Sequence, residues 1–175
     1  MKTIRNIFAT LILAAIFAAP ATATNPGSKS IVDIAAGSKD HTTLVTALKA
    51  ADLVGTLSGK GPFTVFAPTN AAFSKVPQDA LANLLKPENK TALAGVLTYH
   101  VVSGNVDAAA LVGMIRKGNG TAVLKTVNGQ ELKASLDGDK VLLTDSKGGK
   151  AHVVTADLKG SNGVIHVTDG VSMPR

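Results

Sequence analysis

The chain has no cysteine, no tryptophan and a single tyrosine. Without cysteine there is no disulfide framework, no thiol nucleophile, no thiolate-held zinc and no lipidated cysteine to hold the chain on a membrane. The other aromatics are five phenylalanines, of which Phe8 and Phe17 sit near the N-terminus. So few rings exclude a platform for stacking nucleic-acid bases and weaken the case for an aromatic sugar-binding surface. Lys and Arg total 18 against 12 Asp and Glu, a formal charge of +6. The lysines are scattered from Lys29 to Lys159 with no basic run. Dispersed charge of this kind gives a mild attraction to anionic surfaces or polymers, not the basic stripe of a nucleic-acid binder.

Catalytic patterns are missing as well. The four histidines, His41, His100, His152 and His166, form no helical His pair and no His-Glu pair, so no metal site is expected. There is no Gly-x-Ser-x-Gly elbow for a hydrolase serine. The stretch Gly55 to Gly61 approaches a phosphate loop, but it is one residue short between glycines, lacks a hydroxyl after Lys60 and precedes a strand pattern. With no nucleophile–base pair in view, a non-enzymatic protein without cofactor is expected.

What is present begins with a leader. Lys2 and Arg5 are followed by an apolar run from Ile7 to Ala19, then Pro20 and the small-x-small tripeptide Ala21-Thr22-Ala23. That order reads as a secretory signal over 1–23. A spanning helix needs roughly 20 apolar residues and no cleavage-like tripeptide behind it. A polar linker, 24–28, precedes one domain over 29–175, long enough to bury a core without staples. The protein is expected to be periplasmic or secreted, with no stable membrane insertion after cleavage.

The domain divides into a helix-rich first half and a strand-rich second half, which predicts an α+β fold. Ser30 and Asp40 are candidate helix caps, the second before the periodic residues Leu44, Val45, Leu48 and Ala51. Phe63 to Ala67 reads as a strand stopped by Pro68, and Thr69 or Asn70 as the cap of a short helix through Phe73. Pro77 and Pro87 open further helices, and Asp107 another. Tyr99 to Val102 reads as a strand closed by Ser103-Gly104. From Thr121 the period becomes two, with Asn128-Gly129 as a strong hairpin signal and further turns at Gly138 and at Gly148-Gly149. These strands are expected to pair antiparallel, with the first-half helices covering one face.

Three segments stand out: Gly61 to Phe73, Leu97 to Gly104, and Asn162 to Asp169. In that order they resemble the proximal box, the Tyr-His motif and the distal Gly-Val-Ile-His-Val box of the fasciclin-like domain family. The resemblance spans about Ser28 to Pro174, essentially the whole domain. It implies an antiparallel, twisted β-wedge or sandwich flanked by a layer of helices. It also implies an extracytoplasmic role in adhesion, matrix contact or host association, without enzymatic activity. By the same resemblance, Phe63, Phe66, Thr69, Asn70, Phe73, Gly163, Ile165, His166 and Asp169 carry the structural motifs.

The positions that the resemblance links to receptor binding in animal members of the family fall on Tyr99-His100 and on Asp157-Leu158, where Leu replaces the usual Ile. As strand neighbours, Tyr99 and His100 would face opposite sides of the sheet, one packing inward with its polar tip bonded. Asp157, near a strand end beside a Lys-Gly-Ser-Asn-Gly loop, is the better binding candidate, although solvation alone also explains an exposed aspartate. The expected partner is a cell-surface or matrix protein or polysaccharide, met by a monomer. The alternative is a periplasmic binder of a small lipid, glycan or stress-related ligand, which predicts an enclosed apolar pocket of several hundred Å³.

Overall fold

A computed structural model describes residues 29–175; the leader and linker expected over 1–28 lie outside the described residues. The helical half opens with α1 (Ile31–Ala36). Ser30 Oγ accepts the Asp33 amide at 3.2 Å, and Asp33 Oδ2 accepts the Ser30 amide at 3.0 Å. This reciprocal cap satisfies two orphan groups at once, and the Ser30 bonds hold the Asp33 carboxyl below the usual carboxylate range. A single 3₁₀ turn, Lys39–His41, precedes α2 (Thr42–Ala50); Ser38, not Asp40, caps that turn. Leu44, Ala47 and Leu48 form the buried stripe of α2. Then follow α3 (Val54–Ser58), β1 (Phe63–Pro68), α4 (Asn70–Ser74), α5 (Gln78–Leu84), a 3₁₀ turn at Pro87–Asn89 and α6 (Lys90–Tyr99).

After β2 (Val101–Ser103), Asp107 caps α7 (Ala108–Lys117) by accepting the Ala110 amide at 2.8 Å. The remaining chain is β3 (Thr121–Lys125), β4 (Glu131–Asp137), β5 (Lys140–Thr144), β6 (Lys150–Gly160) and β7 (Gly163–Thr168). The Asn128-Gly129 hairpin forms as expected, with Gly129 at φ 90° and the Thr126 amide on the Gln130 carbonyl at 3.0 Å.

All seven strands form one sheet in the order β2-β1-β7-β6-β5-β4-β3. The α+β wedge stands, but the expectation of uniformly antiparallel pairing does not. β7 runs parallel to β1, from Phe63↔Gly163 to Pro68↔Thr168. The last strand does not simply extend the meander; it inserts between β6 and β1, and a parallel neighbour then needs the long connection the intervening chain supplies. Gly163 permits the approach, because a Cβ there would overlap the Phe63 carbonyl. The sheet curls until its ends meet: Val102 bridges Thr126, and the Val127 amide donates to the Val101 carbonyl at 2.7 Å. Closing the ends in this way protects both edges from strand addition.

The central strands are buried on both faces. Val65, Ala67 and Ile165 pack with α1, α2, α3 and α6, while Phe66 joins Tyr99, Leu111, Ile115, Leu132 and Leu143 inside the curl. The helices expected as cover are thus split, with α7 plugging the wedge and the others on its opposite side. The outer strands alternate cleanly. Ala122, Leu124, Leu132, Ala134, Val141 and Leu143 face inward, and their neighbours face solvent.

Candidate functional site

Tyr99 and His100 are not strand neighbours. The Ala- and Leu-rich run before them keeps its helical course, so Tyr99 ends α6 and His100 is its cap; the strand begins only at Val101. The helix end drives both rings inward, where they meet edge-to-face at 6.5 Å. Tyr99, with 0% exposure, donates its hydroxyl proton to the Glu131 carbonyl at 2.9 Å and accepts the Ser146 amide at 3.1 Å. His100 donates from Nδ1 to the Val96 carbonyl at 2.8 Å and accepts the Ser172 amide on Nε2 at 3.0 Å. Those roles define a neutral imidazole, and burial holds its pKa below the ordinary histidine value. The pair therefore joins α6 to the start of β4, to the β5–β6 turn and to the C-terminal tail.

Asp157 lies within β6, at an irregularity where the pairing with β7 shifts register, and its backbone is left-handed at φ 60°. Its Oδ1 accepts the Ala108 amide at 2.8 Å, so Asp107 and Asp157 together satisfy two free amides at the start of α7. Its own amide donates to His166 Nδ1 at 3.4 Å. His166 is fully buried, stacks on Phe66 at 5.5 Å and donates from Nε2 to the Val106 carbonyl at 2.8 Å. Leu158 is half-buried against the helix-side core. The pairs Tyr99-His100 and Asp157-Leu158 share no hydrogen-bond partner. Asp157 alone among the four residues is exposed.

The remaining motif residues are built into the frame. Phe66 and Phe73 are buried, and Phe63 is half-buried beside them. Thr69 caps α4 by accepting the Ala72 amide at 3.2 Å. Asn70 reaches sideways, accepting the Thr43 amide at 3.0 Å and donating to the Lys39 carbonyl at 2.9 Å, which pins α4 to the 3₁₀ turn and to α2. Ile165 lies in the core, and Asp169 accepts the His152 amide at 2.7 Å.

Two hubs escaped the sequence reading. Asn162 accepts the Ile31 amide at 3.0 Å and donates to the Leu57 and Gly59 carbonyls, fastening α1 and α3 to the β6–β7 turn. Buried Asp145 accepts the Lys147, Gly149 and Met173 amides. Its position ahead of Ser-Lys-Gly-Gly is the available signal, an aspartate poised to bond its own turn.

An apolar cavity of about 20 Å³ lies among α2, α5, α6 and the tail, lined by Phe73, Leu81, Leu84, Leu97, His100 and Met173. That is room for about one water, with no free polar group to hold it, and far below the roughly 300–1,000 Å³ of small-molecule sites. Among the described residues no three His, Asp or Glu side chains converge as a metal site, and no helix is long and apolar enough to cross a membrane. One open surface is the outer face of β3 to β6. It carries Val123, Lys125, Glu131, Lys133, Thr144 and Lys150.

Comparison with known proteins agrees with this architecture. The fasciclin domain matches residues 39–174. Protein sll1483 of Synechocystis is 45% identical over 152 residues, covering 87% of this chain and 77% of its own. The immunogenic protein MPB70 of Mycobacterium bovis is 34% identical over 160 residues, covering 89% of this chain and 74% of its own. A solved FAS1 domain pair from the insect cell adhesion molecule fasciclin I superposes with a TM-score of 0.73 at 17% identity, over 82% of this chain and 50% of that one. On the match across its domain and the shared fold, this chain belongs to the fasciclin domain family.

Proposed function

We propose that this protein is an exported, non-enzymatic module that mediates adhesion or contact at a cell surface, matrix or host. The observation that carries the reading is the fate of the Tyr99-His100 and distal-box side chains. Both ring nitrogens of His100 and of His166 are spent on backbone groups, and the Tyr99 hydroxyl has both a donor and an acceptor partner. Groups so engaged hold elements together and leave no proton or lone pair for a substrate. Recognition falls to the exposed strands and loops. The family supports the reading, since the fold neighbour is described as a cell adhesion molecule. The leader read from 1–23 supports export. The partner would be a cell-surface or matrix protein or polysaccharide, met by a monomer.

Deleting the gene and scoring attachment to surfaces and to neighbouring cells tests the proposal. Loss of attachment, restored by the intact gene, is the expected result. Unchanged attachment across several growth conditions would refute it.

A further inference from the structure

The open sheet face has an order that the proposed function does not itself require. Residues directly opposite on neighbouring strands form rows across the sheet. One row runs Val123, Lys133, Thr144, Lys150; the next runs Thr121, Ser135, Leu142, His152; at the end of the sheet Lys125 stands opposite Glu131. Lys125, Lys133 and Lys150 are exposed and form no ion pair among the described residues. Lys147 adds a fourth exposed cation in the turn between β5 and β6. The nearby acids are partly withdrawn: Asp145 turns inward onto amides, and Asp137 bonds His152 Nε2 at 3.0 Å. Lys133 and Lys150 lie two strands apart, roughly 9–10 Å, with the Thr144 hydroxyl between them.

We propose that this face, centred on Lys133, Thr144 and Lys150, is a docking surface for an extended acidic polysaccharide. This deepens the adhesion reading and rests on it for its biological meaning. The argument is charge complementarity. A polyanionic glycan presents carboxylates at regular intervals separated by hydroxyls, and the row presents ammonium groups separated by a hydroxyl at fixed strand spacing. A lipid bilayer fits less well, because the apolar side chains of the face, Val123, half-buried Leu142 and Val154, are scattered among the lysines and include no Trp or Phe to anchor in the headgroup region. Nucleic acid fits less well, because no Phe, Tyr or Trp stands on these rows to stack a base.

The test is retention of the purified protein on immobilised alginate, a polyuronate, beside neutral dextran, phosphatidylglycerol vesicles and single-stranded DNA. Binding to alginate is expected at about 0.01 M salt and lost at about 1 M, as the screening length falls from roughly 30 Å to roughly 3 Å. The double variant Lys133→Ser with Lys150→Ser is expected to bind alginate about tenfold more weakly. Its charge-matched control, Lys49→Ser with Lys86→Ser on the helical side, is expected to bind as the parent does. Circular dichroism checks that both remain folded. No retention on alginate, equal losses in the two double variants, or stronger retention on vesicles or DNA would each overturn the assignment. The two readings separate cleanly. Attachment that depends on the gene while alginate is ignored sinks the docking surface alone. Alginate binding through Lys133 and Lys150 in a protein whose deletion leaves attachment unchanged sinks the adhesion reading alone.

Discussion

The Asp157 carboxylate accepts the Ala108 amide at 2.8 Å, tying the irregular stretch of β6 to the first turn of α7. Asp157 is also left-handed, a conformation aspartate and asparagine tolerate better than alanine. Asp157→Ala removes a cap and adds backbone strain, an expected cost of about 1–3 kcal/mol. Asp157→Asn keeps the acceptor oxygen and the backbone tolerance, and is expected to cost under about 0.5 kcal/mol. Urea melts read both. The Asn variant also separates roles, because it preserves the cap while removing the charge. Partner binding lost in Asn with stability intact would show a carboxylate that recognises as well as caps.

Tyr99 supplies a second test of frame against surface. Tyr99→Phe leaves the Glu131 carbonyl and the Ser146 amide without their hydroxyl partner. Stranding two partly buried backbone groups is expected to cost about 1–3 kcal/mol in a urea melt. A melt that does not move would mean the hydroxyl is dispensable to the frame.

Phe66 has no exposed surface and sits against His166 inside the wedge. Truncation to alanine opens a void in a region where strands from both ends of the chain meet. Phe66→Ala is expected to cost about 3–5 kcal/mol, measured by chemical denaturation. A change below about 1 kcal/mol would place Phe66 outside the load of the core.

Acidification is expected to destabilise the protein through His41 and His100. Burial holds both below the ordinary histidine pKa, so the unfolded chain takes up a proton where the folded one resists it. Stability is full above the unfolded value of about 6.5 and falls as the pH drops below it, by up to about 1.4 kcal/mol per unit for each histidine. Melts from about pH 7 to about pH 5 measure the slope. His100→Gln is expected to be less stable at neutral pH but to show a shallower slope. An unchanged slope would remove His100 from the explanation.

Local chemistry was legible in the sequence and distant pairing was not. Ser30, Asp107 and Asn128-Gly129 act on residues within a few positions, so their caps and turn could be read directly. Tyr99 and His100 were read as strand because Tyr-His-Val-Val is β-rich in isolation. Their helical end is secured by Glu131 and Ser146, 32 and 47 positions away, which no local window contains. Asp157 has the same difficulty, since its partner Ala108 lies 49 positions back. The parallel neighbours β1 and β7 carry no pairing signal of their own, since turn chemistry points only to strands that follow one another in the chain. Of the candidate surface, the alternation of β3 to β5 was visible, but the alignment of Lys133 with Lys150 depends on register across two turns.

The insertion of β7 between β1 and β6 also sets when the molecule can become complete. Until Gly163–Thr168 is available, β1 with β2 and the four strands β3 to β6 meet only through the Val102–Thr126 bridge and the Val127–Val101 hydrogen bond, and each has a bare ladder on the side that β7 fills. Translation must therefore pass Thr168 before the native sheet can assemble, and pairing over such sequence separations is slow. A premature stop ahead of Gly163 is then a route to sticky, half-built sheets.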